Sequence, residues 1–483
     1  MSKFIGREIE LKRLATLKEK KSASLVVIKG RRRIGKSRFV EEFAKRYDFD
    51  TFYTIAGLST TPETTDQSER DIFASALGRI FGIGGIRADD WTTLFLLLNE
   101  KIQGKRVLVL FDEISWMGSK DSDFLGKFKN AWDLYFKKND NLIFVLCGSV
   151  SSWIQENILS SSGFVGRISL VLTIKELPLP DCAKFWGDSS QHISSFEKFK
   201  VLSVTGGIPL YLEHINPKIS AEENITDLCF RTGGLLVREF DDIFTDLFSK
   251  RNATYKSIIE TLANGISTQE EISSKIGIQR SGDISRYLDE LIQAGFISRD
   301  RTWQFKAGKI SNLSRYRVSD NYSRFYLKYI DANRHKIEQG QFASTAISSL
   351  TNWSTVMGLQ FENLVLNNRK IIWDLLKIAP EDIVCDNPYF QRSTKRYPGC
   401  QIDYLIQTRF NTIYVCEIKF SNKELNTAII KELQQKIDKL SIPKHFSYRP
   451  VLIHVNGVSE ETAESDYFSK IIDFGDFLKS SER

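Results

Sequence analysis

The segment of residues 30–37, Gly-Arg-Arg-Arg-Ile-Gly-Lys-Ser, has the residue types and the spacing of a phosphate-binding loop. It matches G-x-x-x-x-G-K-[ST], the Walker A pattern. Gly30 and Gly35 allow the backbone conformations that direct N–H groups towards phosphate oxygens. In this pattern Lys36 reaches the β- and γ-phosphates, and the Ser37 hydroxyl holds Mg²⁺. The segment therefore predicts a site for ATP with Mg²⁺.

The residues between the two glycines are predicted to belong to the same nucleotide site, and they are Arg31, Arg32, Arg33 and Ile34. Residues 1–46 hold 15 Lys and Arg against 5 Asp and Glu, whereas the whole chain has a net charge of +7. The basic surface therefore lies at the nucleotide end. Two interpretations of this charge stay open: attraction to nucleic acid, or compensation of the bound triphosphate.

Two apolar runs that follow the loop end in residues suited to nucleotide chemistry. Residues 107–111 lead into Asp112 and Glu113, which is the Walker B form. Asp112 is predicted to join the Mg²⁺ shell, and Glu113 is predicted to polarise the attacking water. Residues 141–147 lead to Ser149, which either senses the γ-phosphate or belongs to an ordinary strand-to-loop turn.

Arg167 follows these runs, directly after Gly166. An arginine at this point is predicted to stabilise transition-state charge, either in its own chain or from a neighbouring subunit. A lone arginine is equally compatible with a purely structural role.

A second group of charged residues flanks a turn centred near Phe410. Strand-like segments on both sides predict a hairpin. In that hairpin Asp403 falls opposite Glu417, and such cross-strand neighbours have Cβ atoms about 5 Å apart. Alternation along the strand places Lys419 on the same face as Glu417. Three charges thus converge at one edge of apolar strands, where a metal or a polar ligand would compensate for their burial.

Strand and helix signals alternate around the first group. Residues 24–28 predict a buried strand before the loop, and residues 38–47 predict a helix after it. Residues 5–14 and 71–81 are typical of two further helices. Alternating buried strands and helices predict an α/β fold with a parallel sheet.

The composition is that of a globular chain with several domains. The chain has 483 residues, 42% hydrophobic and 26% charged, and we expect about three or four domains. It shows neither an apolar run of transmembrane length nor a signal peptide. Six scattered cysteines without a C-x-x-C pair argue against a zinc module and a disulfide scaffold. These features predict a cytoplasmic protein without a membrane partner.

Several motifs together resemble the archaeal ATPase family, a group of AAA+/STAND-type ATPases that also occurs in bacteria. The resemblance covers about residues 1–250 and rests on segments 4–8, 30–37, 110–113, 147–149, 166–167 and 205–211. It implies that the first segment, with Arg7, lies by the adenine. It also implies that the last segment, with Pro209, opens part of a helical lid over the nucleotide. By physical criteria alone, residues 206–209 are a turn before a helix.

Residues 254–300 are typical of three short helices followed by a strand. Ser267 or Thr268 is placed to begin the second helix with a capping box. This order resembles a winged helix-turn-helix. Its third helix carries Arg280 and Arg286 but also several acids, so DNA contact and a structural or lid-coupling role both stay open.

Residues 316–326 combine aromatic residues with arginines. Such a segment either stacks on nucleotides or packs between domains, and packing is the interpretation that we favour. Residues 340–354, rich in Ser, Thr and Ala, are typical of a linker.

The C-terminal acid–lysine group resembles the active site of the PD-(D/E)xK nuclease superfamily. Glu362, in a helix-like segment, matches an acidic position that many members carry upstream. The resemblance implies metal-assisted phosphodiester hydrolysis, with Glu362, Asp403 and Glu417 at Mg²⁺. It implies that Lys419 orients the water or stabilises the pentavalent charge. Residues 355–483 carry equal numbers of basic and acidic side chains, so an inert domain kept for packing is the alternative.

The sequence as a whole predicts an α/β multidomain protein. The expected order is a P-loop ATPase core with a parallel sheet, a helical lid, a winged helix-turn-helix, a linker with a helix and a restriction-endonuclease-like α/β domain: residues 1–170, 171–250, 251–310, 311–350 and 351–483. We expect an ATP-hydrolysing AAA+/STAND-type protein that acts on DNA through a metal-dependent nuclease-like domain, and the sequence admits a nucleotide-dependent homo-oligomer. The alternative is a nucleotide-gated regulatory or DNA-binding ATPase with an inert C-terminal domain.

Overall fold

The computed structural model describes residues 3–59, 61, 63–248, 252–278, 281–395 and 397–479. The chain divides into two compact units, Met1–Glu176 and Leu177–Arg483. The predicted limit of the ATPase core at residue 170 lies close to this division.

The strands of the first unit are β1 Ser24–Lys29, β2 Thr51–Ala56, β3 Val107–Asp112, β4 Leu142–Gly148 and β5 Ile168–Thr173. Within the described part of this unit they form a five-stranded parallel sheet in the order β2-β3-β4-β1-β5. The three central strands are the buried apolar runs that the sequence predicts. This α/β arrangement is typical of P-loop NTPases.

The two edge strands, β2 and β5, were not predicted. Side chains along both strands are partly exposed, since an edge strand has a paired neighbour on one side only. Their sequences therefore lack the continuous apolar run that marks a buried strand.

Helices cover the sheet of the first unit. They are α1 Glu8–Ala15, α2 Lys36–Arg46, α3 Asp66–Phe81, α4 Trp91–Ile102, α5 Phe124–Leu134 and α6 Ser151–Ile154. Aromatic side chains from α3, α4 and α5 pack edge-to-face on the sheet, for example Phe73 against Phe111 and Phe128 against Phe144. This packing fixes the carboxyl ends of the central strands, where the predicted nucleotide residues lie.

The second unit begins with helices. The helices of this unit are α7 Leu179–Cys182, α8 Ser195–Thr205, α9 Pro209–Leu212, α10 Ala221–Cys229, α11 Glu239–Phe248, α12 Asn252–Ala263, α13 Gln269–Ile276, α14 Ser281–Gln293, α15 Asn321–Phe325, α16 Arg334–Glu338, α17 Trp353–Asn367, α18 Arg369–Leu375, α19 Ala428–Lys439, α20 Glu460–Ala463 and α21 Phe474–Phe477. Thr268 and Glu271 form the capping box of α13, as the sequence predicts.

The strands of the second unit are β6 Ile297–Gln304, β7 Lys309–Val318, β8 Ile383–Gln391, β9 Cys400–Thr408, β10 Thr412–Phe420, β11 Ser447–Val455 and β12 Lys470–Asp473. β6 and β7 form an antiparallel hairpin. The others form a mixed sheet in the order β12-β11-β10-β9-β8, in which β8, β9 and β10 are antiparallel and β10, β11 and β12 are parallel.

The segment of residues 316–326 is a packing element. Tyr322 and Tyr326 are fully buried, and Arg317 and Arg324 are also buried. Arg324 donates to the side chain of Gln360 on α17 at 2.7 Å. The preference for packing over nucleotide stacking is therefore confirmed.

The predicted domain limit at residue 310 and the predicted linker at residues 340–354 can be compared with the observed helices and strands. The limit at residue 310 falls inside β7, which pairs with β6 along its length, so a domain limit there would divide a hairpin. The predicted linker at residues 340–354 precedes α17 and contributes a buried side chain, that of Ile347. The domain assignments themselves stay predictions.

Among the described residues, no helix is both long enough and apolar enough to cross a lipid bilayer.

Candidate functional site

The phosphate-binding loop connects β1 to α2, and its two glycines are required by geometry. Gly30 has a φ of 155°, and a Cβ atom there would lie 2.2 Å from the carbonyl oxygen of Ile174. Gly35 precedes the first residue of α2 with a φ of 83°, in the left-handed region that favours glycine. Ile34 is buried between them. The loop is thus held close to its own sheet, with the N-terminus of α2 at its end.

Lys36 and Ser37 lie in the first turn of α2. The ammonium of Lys36 is buried and donates to the carbonyl oxygen of Arg31 at 3.1 Å, which folds the side chain over the loop. The hydroxyl of Ser37 donates to Oδ2 of Asp112, at the end of β3, at 2.5 Å. The hydroxyl and the carboxylate therefore meet at one point, as oxygen ligands of one Mg²⁺ must. These residues fit ATP with Mg²⁺.

Glu113 follows Asp112 and has a φ of 49°, which is uncommon for a residue with a side chain. Its carboxylate accepts two kinds of hydrogen bond from Ser149. The backbone N–H of Ser149 donates at 3.0 Å, and the hydroxyl of Ser149 lies 2.8 Å from Oε2. The loops after β3 and β4 thus bring together two of the predicted site residues.

The arginines of the loop differ in their surroundings. Arg31 is buried, with Nη1 3.8 Å from the carboxylate of Glu176. The guanidinium of Arg32 lies over the ring of Trp116, 5.7 Å from its centroid. Arg33 has a φ of 69°. Because Arg31 is buried, it is not part of a surface that nucleic acid would contact.

Arg7 and Pro209 belong to different units. Arg7 has a φ of 66°, is buried, and donates to the carbonyl oxygen of Lys175. Pro209 is the first residue of α9 in the second unit, after the turn at residues 206–208. The predicted contacts of both residues with the nucleotide stay predictions.

Arg167 is placed where it cannot reach the phosphate loop of its own chain. It directly precedes β5, whose first residue Ile168 pairs with Leu25 near the start of β1. The loop follows the other end of β1, about 16 Å away at 3.3 Å per residue. Arg167 instead forms a bidentate ion pair with Asp133, at 2.9 and 2.8 Å. The prediction that it acts within its own chain is therefore wrong, and action on a neighbouring subunit stays a prediction.

In the second unit, β9 and β10 have the register that a turn centred on Phe410 predicts. Cys416 pairs with Tyr404, so the next positions along the same register are Asp403 and Glu417. Oδ2 of Asp403 accepts from the backbone N–H of Ile418 at 3.0 Å. Two carboxylates therefore share one face of the mixed sheet, on two of its interior strands.

Both carboxylates are removed from solvent, and a lysine lies between them. The side chains of Glu417 and Asp403 are 3% and 17% exposed. The ammonium of Lys436, on α19, lies 2.7 and 2.5 Å from the oxygens of Glu417 and 3.8 Å from Asp403. Burial and the charge of Asp403 raise the pKa of Glu417 to about 7, and burial raises the pKa of Asp403.

Lys419 shares a face with Glu417, but its ammonium contacts another acid. It lies 2.6 Å from Glu432 on α19, and both side chains are exposed. Its charge still opposes the rise in the pKa of Asp403 and of Glu417, so its predicted role stays a prediction, but Lys436 is the lysine whose ammonium lies between the two acids. Lys436 was not among the residues predicted from the sequence. The available signal was its position on an amphipathic helix, four residues after Glu432 and shortly after the strand of Glu417.

Glu362 does not join the other two acids as a common set of ligands. Across the described residues no three His, Cys, Asp or Glu side chains are arranged to hold one metal ion. Glu362 lies on α17 beside Arg317, Arg324 and Asn363. Burial and the charge of Asp403 raise its pKa to about 7. Its predicted role in a three-carboxylate site is therefore wrong for this arrangement, and the pair Asp403 and Glu417 remains.

Helix α14, the third helix of the segment that resembles a winged helix, presents few free charges. Arg280 lies outside the described residues. Arg286 lies 3.4 Å from Asp283 and 3.9 Å from Glu290 on its own helix. The assignment of this segment as a winged helix-turn-helix stays a prediction.

Comparisons with known proteins find similar sequences for the N-terminal part of the chain and for most of its length. Residues 4–215 match the family model described as an ATPase domain predominantly from Archaea. The chain is 28% identical over 364 residues to the uncharacterized protein MJECL04 of Methanocaldococcus jannaschii. The aligned region covers 75% of this chain and 76% of that protein.

Two solved structures are also similar to the chain. The Walker-type ATPase PABY2304 of Pyrococcus abyssi is 17% identical, with a TM-score of 0.46 over 67% of this chain and 96% of that one. The ORC2 protein of Aeropyrum pernix is 14% identical, with a TM-score of 0.41 over 70% of this chain and 97% of that one.

Proposed function

We propose that this chain is an ATPase that acts on DNA and that its C-terminal mixed sheet is a metal-dependent nuclease-like domain. The match of residues 4–215 to the model of an ATPase domain predominantly from Archaea supports the first part. The observation that carries the second part is the buried pair of carboxylates, Asp403 and Glu417, on neighbouring strands. Buried carboxylates are costly unless a cation compensates for their charge.

In the ATPase domain each residue has a distinct task. Lys36 neutralises charge on the β- and γ-phosphates, and the loop amides bind the phosphate oxygens. Ser37 and Asp112 would hold Mg²⁺, which would neutralise charge on the phosphates. Glu113, oriented by Ser149, accepts a hydrogen bond from the attacking water and polarises it.

In the C-terminal domain Asp403 and Glu417 would hold a divalent cation, which supplies Lewis-acid stabilisation to a phosphodiester. Two carboxylates suffice for a hard cation that takes its remaining ligands from water and substrate phosphate. The backbone N–H of Ile418 orients the carboxylate of Asp403. Lys436 or Lys419 would then balance charge on the phosphate.

DNA as the partner is supported by the surface of the first unit. Lys12, Arg13, Lys20 and Lys21 are exposed on α1 and in the segment that follows it. A cluster of exposed cations attracts the DNA backbone and makes binding dependent on salt. This surface is separate from the buried Arg31 of the phosphate loop.

The test is incubation of the full chain with supercoiled and linear DNA in Mg²⁺, with and without ATP. The variants are Lys36→Ala, Glu417→Gln and, as a matched control, Glu381→Gln, which changes an exposed acid near the start of β8. We expect cleavage by the parent protein and by Glu381→Gln, and no cleavage by Glu417→Gln. A parent protein that hydrolyses ATP but cuts none of the substrates contradicts the nuclease assignment.

One observation favours a second candidate function, a nucleotide-gated regulatory or DNA-binding ATPase with an inert C-terminal domain. The ion pair between Lys436 and Glu417 compensates for the buried charge without a metal. In that case Mn²⁺ would bind neither the parent protein nor its lysine variants at Asp403 and Glu417, and ATP turnover would be slow.

A further inference from the structure

Helix α19 covers the sheet face that carries Asp403 and Glu417. Its apolar side chains Leu433 and Ile437 pack with residues of β9 and β10 in one hydrophobic cluster. One turn of the same helix presents Glu432, and the next presents Lys436. The helix is therefore fixed over the two carboxylates by its apolar face.

Two ion pairs join this helix to β10, and they differ in burial. Lys436 contacts Glu417, whose side chain is 3% exposed, whereas Glu432 contacts Lys419, where the acid is 50% exposed. An exposed ion pair contributes little to the stability of the fold because water screens it. Removal of the lysine that pairs with a buried carboxylate is costly, because it leaves an uncompensated charge in the interior. Lys436 is thus the cation on which the buried acids depend.

The ammonium of Lys436 lies where it is shared by the carboxylates of Glu417 and Asp403. It lies within 2.7 Å of both oxygens of Glu417 and 3.8 Å from Asp403. Burial alone would lower the pKa of Lys436, but the nearby Asp403 and Glu417 raise it, so the lysine stays charged. A positive charge therefore already occupies the space between the carboxylates.

We propose that Lys436 is a tethered cation that competes with a divalent metal ion for Asp403 and Glu417. The metal binds only when the ammonium leaves Glu417, and the flexible lysine stem on α19 permits that movement. This inference rests on the proposed function, since it takes the two acids as a metal site. It assigns to Lys436 the control of metal affinity, whichever lysine later faces the phosphate.

The test is a calorimetric titration of the full, nucleotide-free chain with Mn²⁺. The variants are Lys436→Met, which removes the charge, and Lys436→Gln, which removes the charge but keeps a donor for Glu417. Lys431→Met is the matched control, because Lys431 is exposed on the same helix. Each titration is repeated with Glu417→Gln, so that binding at this site is separated from binding at the phosphate loop.

We expect both Lys436 variants to bind Mn²⁺ at least about tenfold more tightly than the parent protein. Lys431→Met should bind like the parent protein, and Glu417→Gln should abolish the gain. If Lys436→Met does not fold without metal, the comparison rests on Lys436→Gln and on the rise of its Tm with added Mn²⁺. Equal or weaker Mn²⁺ binding by Lys436→Gln would overturn the inference.

The result is distinct from the outcome for the proposed function. Tighter Mn²⁺ binding without DNA cleavage by any variant supports the tethered cation and contradicts the nuclease. Unchanged Mn²⁺ binding with cleavage that depends on Glu417 supports the nuclease and overturns the role of Lys436.

Discussion

Ser149, the first residue after β4, donates from both its backbone N–H and its hydroxyl to the carboxylate of Glu113. The two residues are 36 positions apart in the chain, and the adjacent strands β3 and β4 bring them together. A carboxylate that polarises water must be held in one orientation, and Ser149 supplies that constraint.

Replacement of Ser149 by alanine should slow ATP turnover without weakening ATP binding. The backbone N–H of residue 149 still donates to Glu113, but the hydroxyl is lost, so we expect a fall in kcat of about tenfold. Glu113→Gln should cost more, about a hundredfold or more, because it removes the polarising carboxylate itself. Steady-state phosphate release and fluorescent-nucleotide binding measure the two quantities.

The control for this prediction is Ser149→Thr, which keeps the hydroxyl and should retain most of the turnover. A Ser149→Ala protein that turns over ATP at the parent rate would show that the backbone hydrogen bond alone positions Glu113.

Arg167 should affect ATP turnover only through a neighbouring subunit. We expect turnover per chain to rise with protein concentration in the parent protein, and Arg167→Ala should abolish that rise, because the guanidinium lies too far from its own loop. Asp133→Asn is the matched control, since it breaks the same ion pair but keeps the arginine. Equal turnover by Arg167→Ala and the parent protein at every concentration would leave Arg167 with a structural role.

Gln407 should be important for the stability of the second unit. Its amide is buried, accepts from Nε1 of Trp303 at 2.7 Å and donates to the carbonyl oxygen of Phe305 at 2.9 Å. Gln407→Leu leaves both groups unpaired, so we expect a loss of about 3 kcal/mol in the free energy of unfolding. Urea denaturation followed by tryptophan fluorescence measures it.

Gln401→Leu is the control for Gln407, because Gln401 is exposed and its amide oxygen accepts from Arg315 at 3.1 Å near the surface. We expect a change within about 0.5 kcal/mol for this variant. The prediction fails if both glutamine variants unfold at the same urea concentration.

Glu362 should make the metal-free protein less stable as the pH rises. Its pKa in the folded chain is raised to about 7 by burial and by the charge of Asp403, whereas the unfolded value is about 4.3. Between these values the folded state binds more protons than the unfolded state, so stability falls as the pH rises through this window. We expect a loss on the order of 2 kcal/mol from pH 5 to pH 8.

The measurement is urea denaturation at pH 5 and pH 8 of the parent protein and of Glu362→Gln. The glutamine variant should lose less stability between the two pH values, because it cannot ionise. Glu381→Gln, at an exposed position, should behave like the parent protein. If the free energy of unfolding changes with pH to the same extent in the parent protein and in Glu362→Gln, groups other than Glu362 cause the pH dependence.

The parts of the fold that are dictated by local patterns were predictable from the sequence. The buried strands β1, β3 and β4 are continuous apolar runs, and the phosphate loop is a local motif of eight residues. The register of β9 against β10 follows from alternation and from one turn. Each of these features depends on residues that are near one another in the chain.

Features that depend on distant packing were not predictable. The edge strands β2 and β5 have no apolar run, because one side of each is unpaired. The choice between Lys419 and Lys436 depends on how α19 lies over the sheet, which is set by the burial of Leu433 and Ile437. Spacing along a strand predicts the face of the sheet on which a side chain lies. It does not predict which side chain of a distant helix will contact it.

The turn between β9 and β10 determines the chemistry of a site that lies seven residues away on each side. Insertion or deletion of one residue at positions 409–411 would shift the register, and each side chain of β10 would then face the opposite way relative to β9. Glu417 would lie on the side of the sheet away from Asp403, although every acid and lysine would still be present. The juxtaposition of Asp403 and Glu417 therefore depends on the length of this turn as much as on the two acids themselves, and a change in that length would separate them without replacing either residue.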